Sequence, residues 1–185
     1  MALILTGMFY AFTPTKSEWI LDNSRAKFNF TVNHLTTTHA AGHFNAFDAT
    51  ITSESGDLTT AVLNMTAQVT SIDTDDDKRD AEFKSTKYFD AARYPAVSFT
   101  SKEITKVDDK NYKVAGDMTI HGITKPIVLN ALELDPMNNI SVAGFKVTGK
   151  IRRLDFAVGP TVPPNIVGND IDIVAIMEFK EVQLF

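Results

Sequence analysis

Apolar and polar residues alternate along most of the chain. In the first such run, Ala26, Phe28, Phe30 and Val32 are separated by polar residues. A period of two places the apolar side chains on one face of a β-strand. The alternation returns in six later runs: Ala61 to Val69, Val97 to Phe99, Tyr112 to Ile120, Ile127 to Ala131, Ala143 to Val147 and Ile171 to Phe179. These runs predict half-buried antiparallel strands.

Turn-forming residues separate the predicted strands. They are Ser55-Gly56-Asp57, Asp108 to Asn111, His121-Gly122, Asp135 to Asn139, and the Pro-rich stretch from Gly159 to Asp170. Glycine, proline, asparagine and aspartate favour turns because they adopt or stabilise the required backbone angles. Short strands with frequent turns and one apolar face each are typical of a β-sandwich or a closed barrel. The pattern alone leaves both architectures open.

One segment departs from this alternation. Three consecutive acids, Asp75 to Asp77, are followed by Lys78 and Arg79. Acids in the first turn and bases behind them suit the helix dipole. We therefore predict one short helix from about Asp76 to Ser85. Its apolar side is thin, so we expect it to lie across the end or the side of the sheet.

The N-terminus differs from the rest of the chain. Residues 2 to 12 are almost uninterruptedly apolar and have the length of the hydrophobic region of a signal peptide. No basic residue occurs between Met1 and Lys16. We interpret residues 1 to 16 as a signal-peptide remnant or N-terminal extension, and residues 17 to 185 as the folded domain. The alternative is a short N-terminal helix or strand packed on that domain.

Composition narrows the classes of function. With 185 residues, 44% of them hydrophobic, the chain suffices for one domain with a sizeable core. A net charge of -5 without a basic stripe argues against a nucleic-acid partner. The absence of cysteine excludes disulfides, thiolate metal sites and cysteine nucleophiles. No apolar run approaches the roughly 18 residues of a membrane-spanning helix, so we expect no membrane span.

Two polar clusters could hold a metal ion. His34, His39 and His43 lie close together, but their spacing suits neither one helical face nor one strand face. The aspartates between Asp73 and Asp80 lack the pattern of a calcium-binding loop, and helix capping explains them better. We predict no metal and no cofactor. A metal-dependent enzyme that uses the three histidines remains the alternative.

The chain carries no motif typical of catalysis. There is no G-x-S-x-G turn and no Gly-rich phosphate loop. Arg152, Arg153 and Asp155 form a charged cluster at a predicted strand end. Such a cluster is more often a structural ion pair than an anchor for a ligand head group. We therefore predict that the protein is not an enzyme.

Several phrases, read together, resemble a known family. They include Trp19 to Asp22, Ser71-Ile72-Asp73-Thr74 with Lys78-Arg79-Asp80, Gly116 to Lys125, and Ile151 to Phe156. In this order and spacing, from Trp19 to the C-terminus, they resemble the YceI-like family of lipocalin-like, polyisoprenoid-binding proteins. Where that family commonly has Asp-Phe-Gly, this chain has Asp155-Phe156-Ala157.

The resemblance implies both a fold and a function. It implies an all-β protein with one short helix, built as a lipocalin-like eight-stranded antiparallel barrel. It also implies a long amphiphilic isoprenoid ligand, of the polyprenyl or quinone type, in the barrel lumen. Export to the periplasm or secretion is the implied location. A filled β-sandwich with an adhesion or structural role is the remaining alternative, and the sequence leaves open whether two chains pair as a homodimer.

Candidate ligand-binding residues follow from the alternating faces. A barrel of about eight strands either fills its interior with side chains or holds one ligand. The apolar candidates for the lumen are Phe28, Phe30, Val32, Leu63, Met65, Phe99, Val114, Met118, Ile120, Phe145 and Val147. The polar candidates for its mouth are His34, Arg79, His121 and Arg153, each of which could equally have a structural role.

Overall fold

The computed structural model describes residues 17–34, 38–54, 57–135 and 142–182. Residues 1 to 16, interpreted above as a signal-peptide remnant or N-terminal extension, lie outside the described residues. Eleven strands and one α-helix are present in the described part of the chain. The strands are β1 Ser17–Leu21, β2 Lys27–His34, β3 Thr38–Phe44, β4 Phe47–Ser53, β5 Val62–Gln68, β6 Ile72–Asp73, β7 Ala96–Lys106, β8 Asn111–Ile120, β9 Ile123–Leu134, β10 Val142–Arg152 and β11 Val167–Val182, and helix α1 is Asp77–Lys84.

The strands close into a single antiparallel barrel. The sheet order is β1-β4-β5-β7-β8-β9-β10-β11-β2-β3-β6, and β11 also pairs with β1. Strands β1 and β2 pair with successive parts of the long strand β11, so together they act as one interrupted strand. Strands β3 with β4, and β5 with β6, continue one another in the same way. The predicted eight-stranded barrel with one short helix is therefore confirmed.

The apolar residues of the alternating runs face the barrel interior, and the polar residues between them face outward. Along β5, residues with odd numbers from Leu63 to Ala67 are buried and their neighbours are exposed. Strands β8 and β11 show the same alternation. The barrel interior is well filled, since Phe99, Met118 and Phe179 are each at most 1% exposed. Closure explains the pattern, because only one face of each strand can meet the interior.

Helix α1 begins where the acidic residues predict. The Asp76 carboxylate accepts hydrogen bonds from the backbone N–H groups of Lys78 and Arg79 at 3.0 and 3.1 Å. These bonds, chiefly the one from Arg79, lower the pKa of Asp76. An aspartate at this position pairs N–H groups that have no partner within the helix. No helix among the described residues is long and apolar enough to cross a membrane.

Two turns place unusual backbone angles at defined positions. His121 and Gly122 join β8 to β9, with φ of 52° and 73°. Positive φ at both central residues is typical of a two-residue type I′ hairpin, so the predicted His-Gly turn is confirmed. After β10, Arg153–Phe156 form a 3₁₀ turn that ends at Ala157, which has φ 52° and ψ 30°. Ala157 thus adopts the left-handed conformation usually taken by glycine.

Candidate functional site

The described residues enclose two cavities within the barrel. The larger has a volume of about 70 Å³, and we call it the cap-side cavity. Its lining residues are Phe28, Phe30, Val32, Phe44, Phe83, Tyr88, Phe89, Val97, Met118, Ile120, Ile151, Arg153, Val158, Val167, Ile171 and Ile173. All but Tyr88 and Arg153 have purely apolar side chains. The cavity therefore suits a hydrocarbon group rather than a polar one.

The second cavity lies toward the opposite end of the same strands, and we call it the far cavity. Its volume is about 40 Å³. It is lined by Ile51, Leu58, Leu63, Ile104, Tyr112, Val114, Ala131, Phe145, Val147, Met177 and Phe179. The predicted lumen residues are thus divided between two separate spaces. Met65 and Phe99 are buried in the interior but line neither cavity.

Two segments, which we call the cap, help to enclose the cap-side cavity. They are residues 77–94, comprising α1 and the turns after it, and residues 153–167. The first contributes Phe83, Tyr88 and Phe89 to the cavity wall, and the second contributes Val158 among others. The rings of Phe83 and Tyr88 pack edge to face with centroids 5.2 Å apart. The short helix predicted to lie across an end or side of the sheet therefore helps to close the lumen.

Of the described residues that line the two cavities, Arg153 is the only charged one. It is 2% exposed, and no carboxylate among the described residues forms an ion pair with it. Its guanidinium donates five hydrogen bonds of 2.7 to 2.9 Å to the backbone carbonyls of Val158, Gly159, Val162, Val167 and Gly168. Burial lowers the pKa of Arg153.

These bonds show what Arg153 does in the fold. A guanidinium has five N–H donors, and here four bind carbonyls of the cap and the fifth binds the carbonyl of Gly168, directly after it. The neighbouring Asp155, which sequence reasoning paired with this cluster, is exposed instead. A buried charge is tolerated only when its polar atoms are hydrogen-bonded. Arg153 therefore holds the 153–167 loop closed over the cavity. Its guanidinium N–H groups take the place of the water molecules to which the backbone carbonyls of the loop would otherwise be hydrogen-bonded.

Arg79 forms hydrogen bonds between the cap and the barrel. Its Nε donates to Thr74 Oγ1 at 2.9 Å, and its Nη2 donates to the Thr74 carbonyl at 2.6 Å. Asp80, next to it on α1, accepts from the backbone N–H and the hydroxyl of Thr74 at 2.9 and 2.6 Å. Thr74 follows β6, so these bonds attach the helix to the barrel. Arg79 is half-buried and does not line either cavity.

The histidines occupy different environments. His121 lies in the β8–β9 turn, where its ring packs against Tyr94 with centroids 4.6 Å apart. His43 Nε2 lies 3.8 Å from an Asp73 carboxylate oxygen. The side chains of His34 and His39 lie outside the described residues. Among the residues that the structure does describe, no group of three or more acidic or histidine side chains is placed to hold a metal ion.

Sequence reasoning missed part of the cavity lining. Ile171, Ile173, Met177 and Phe179 belong to an alternating run and could have been included on that ground. Phe83, Tyr88, Val158 and Val167 carried no such signal. They come from the cap and the start of β11, where no period of two marks an inward face. Only the tertiary structure brings these residues onto the lumen.

The size of the cavities limits what can bind without rearrangement. A cavity of about 150 Å³ accommodates a molecule such as benzene. The cap-side and far cavities, at about 70 and 40 Å³, are each smaller than that. A long chain therefore fits this lumen only if lining side chains move apart. The larger cavity offers flexible side chains for this, Met118 among them.

The sequence and the fold both have known counterparts. The family described as "YceI-like domain" matches residues 19–179. Protein YceI of Escherichia coli is 30% identical over 177 residues, which cover 92% of this chain and 91% of that protein. The Campylobacter jejuni YCEI protein has a similar structure, with a TM-score of 0.72, 27% identity, and coverage of 82% of this chain and 90% of that one.

A third counterpart shares the fold at low sequence identity. It is described as a polyisoprenoid binding domain from Saccharophagus degradans implicated in plant cell wall breakdown. Its TM-score is 0.70 at 15% identity, covering 89% of this chain and 98% of that one. The barrel described above is thus the architecture of these neighbours.

Proposed function

The chain belongs to the YceI-like family, and from this premise we propose that it is a binding protein that holds an isoprenoid lipid in its barrel lumen. The observation that carries the proposal is the cap-side cavity, with its nearly continuous apolar lining. Burial of hydrocarbon contributes about 0.8 kcal/mol for each CH₂ group. An apolar lumen therefore suffices for tight binding of a long chain with few polar contacts.

The chemical class of the ligand is supported by a structural neighbour. The Saccharophagus degradans domain of the same fold is described as polyisoprenoid binding. An isoprenoid chain is an unbroken hydrocarbon, which matches a lumen lined by aliphatic and aromatic side chains. We place the polar head of the ligand at the cap end. Arg79 and His121, both half-buried, lie at that end and could meet a head group by modest side-chain movement.

We further propose that the protein binds its ligand without chemical conversion. Among the described side chains that line the two cavities, only three have a titratable group, namely Tyr88, Tyr112 and Arg153. Burial raises the pKa of both tyrosines, which keeps their hydroxyls protonated near neutral pH. The Arg153 donors are already used by backbone carbonyls. This lining supplies no pair of groups suited to general acid and base catalysis.

The apolar run at residues 2 to 12 supports a further proposal about location. We propose that it directs export, so that the barrel acts in the periplasm or outside the cell. Cell fractionation followed by N-terminal sequencing of the recovered protein tests this. A mature N-terminus near residue 16 in the exported fraction supports export. Recovery of the full chain from the cytoplasm alone contradicts it.

The first experiment is to identify the lipid that copurifies with the protein. We expect native mass spectrometry to show a bound small molecule, and organic extraction to identify it as an isoprenoid. The same spectrum reports whether two chains pair. If the wild type neither copurifies with a long-chain lipid nor takes up an added polyprenol, the proposed function is wrong.

A pair of matched variants tests whether the lumen is the binding site. Val97, which is 4% exposed, lines the cap-side cavity, whereas Val128 lies on the outer face and is 56% exposed. We expect Val97→Phe to fill the cavity and reduce lipid binding while the barrel stays folded. Val128→Phe adds the same atoms outside and should bind like the wild type. Equal lipid content in both folded variants would place the site elsewhere.

A further inference from the structure

The two cavities are separated by one layer of inward-facing residues. Strands β8, β10 and β11 each contribute residues to both cavities. On each of these strands, a single inward-facing residue separates those that line the cap-side cavity from those that line the far cavity. These positions are Gly116, Gly149 and Ala175. Large side chains come from the other strands, chiefly Phe99 on β7 and Leu129 on β9, which are 1% and 4% exposed.

Each large side chain lies against a glycine of a neighbouring strand. The tip of the Phe99 ring is 2.6 Å from the position that a β-carbon on Gly116 would occupy. A β-carbon on Gly149 would overlap the Leu129 Cδ2 atom. A glycine inside a strand often marks such a close approach. The two glycines therefore leave the room against the barrel wall that the Phe99 and Leu129 side chains occupy.

We propose that Leu129 and Gly149 together determine how long an isoprenoid chain the lumen accepts. When the lining side chains move apart to admit a chain, the width of the passage between the two cavities depends on how closely the Leu129 side chain packs on Gly149. Because Gly149 has no side chain, Leu129 leaves this passage open, and a chain that fills the cap-side cavity continues into the far cavity. This inference rests on the proposed function, and it assigns the upper limit on chain length to one side-chain contact.

Gly149 is the better of the two glycines for a test. The three atoms nearest to its hypothetical β-carbon all belong to the side chains of Leu129 and Ile173. A β-carbon on Gly116 would instead clash with main-chain atoms of Thr100 and Ser101, and main-chain atoms within a strand move less readily than side-chain atoms. Gly149→Ala is therefore expected to fold and to turn Leu129 toward the barrel axis. The double variant Leu129→Ala with Gly149→Ala removes the displaced side chain and reopens the layer.

The experiment compares two isoprenoid alcohols, farnesol with three isoprene units and solanesol with nine. Delipidated proteins are titrated with each alcohol and followed by native mass spectrometry. We expect the wild type to bind both, and Gly149→Ala to bind solanesol about tenfold or more weakly with little change for farnesol. The double variant should regain solanesol. Gly144→Ala, on the same strand with its added carbon facing Leu134 outside the lumen, is the matched control.

The other outcomes separate this inference from the proposed function. Equal solanesol binding by the wild type and a folded Gly149→Ala variant would overturn the role of the Leu129–Gly149 contact. So would a wild type that binds farnesol but not solanesol, although lipid binding itself would then stand. Binding of neither alcohol would contradict the proposed function as well. If Gly149→Ala does not fold, Ala175→Leu obstructs the same layer from β11 and must give the same loss of solanesol.

Discussion

Tyr88 and Gly159 contact each other across the two halves of the cap. A β-carbon on Gly159 would lie 2.8 Å from both Cδ1 and Cε1 of the Tyr88 ring. Gly159 also has a φ of 59°, a conformation that glycine adopts without strain. The ring thus rests directly on the backbone of the 153–167 loop, and its position depends on a residue without a side chain.

Removal of the Tyr88 ring should loosen the cap. Tyr88 is 5% exposed, and we expect Tyr88→Ala to lower the free energy of unfolding by about 3–5 kcal/mol, as for other buried aromatic truncations. It should also speed the transfer of bound lipid to acceptor vesicles. Tyr88→Phe keeps the ring and should differ from wild type by less than about 1.5 kcal/mol. Urea unfolding and a lipid-transfer time course measure the two effects. Unchanged transfer by a folded Tyr88→Ala variant would show that this ring does not control access.

Replacement of Arg153 should destabilise the protein whether or not lipid is present. Arg153→Met removes the guanidinium donors of five carbonyl oxygens; the Gly159 carbonyl keeps the Val162 N–H as a donor at 3.0 Å, and each buried group left unpaired costs about 1–3 kcal/mol. We expect a loss of about 5 kcal/mol or more, with early proteolysis in the 153–167 loop. Arg152→Met, at an exposed neighbouring position, should change stability by less than about 0.5 kcal/mol. A stable Arg153→Met variant that has lost only its lipid would instead assign Arg153 to the ligand.

Ala157→Gly should stabilise the protein. Ala157 ends the 3₁₀ turn with φ at 52°, and the left-handed conformation costs a residue with a β-carbon about 1–2 kcal/mol. Glycine removes that cost but loses about 0.4–1 kcal/mol through greater freedom of the unfolded chain. We expect a net gain of about 0.5–1 kcal/mol in urea unfolding. A loss of stability would mean that the alanine methyl group contributes packing that outweighs the backbone strain.

Asp22 should make stability depend on acid pH. Its carboxylate lies 2.5 Å from Lys180 Nζ and accepts two hydrogen bonds from Ser24. The bond from Lys180, followed by those from Ser24, lowers the pKa of Asp22 from 3.8 to about 2. Because the folded-state pKa is depressed, the stabilisation is present above about pH 4 and is lost as the pH falls toward 2.

The matching variant is Asp22→Asn. We expect it to be less stable than the wild type at neutral pH, and the difference to shrink between pH 4 and pH 2. Thermal unfolding across that range measures the change, and NMR titration of the carboxyl group measures the pKa directly. Lys180→Met should raise the pKa of Asp22 toward its ordinary value. A difference between wild type and Asp22→Asn that stays constant with pH would contradict the assignment.

The resemblance to a family and the alternation of residues predicted most of the fold. Alternation identifies inward residues such as Phe30 and Phe145 because the two faces of a strand are fixed by local geometry. The helix was predictable from Asp76 and the charges behind it, since capping and dipole effects act within one turn. The His121-Gly122 turn was predictable for the same reason. Each of these signals depends only on residues adjacent in sequence.

Other features were decided by the tertiary structure. Nothing in the sequence around Arg153 indicates that its hydrogen-bond acceptors are five backbone carbonyls up to fifteen residues away. Leu129 and Gly149 meet because strands β9 and β10 pair in one register, and a register shift of one residue would send Leu129 to the outside. The sequence by itself determined which residues of each strand share one face, because side chains alternate along a strand. Only chain closure and strand register, which are long-range properties, decided that the interior is divided into two cavities beneath a cap.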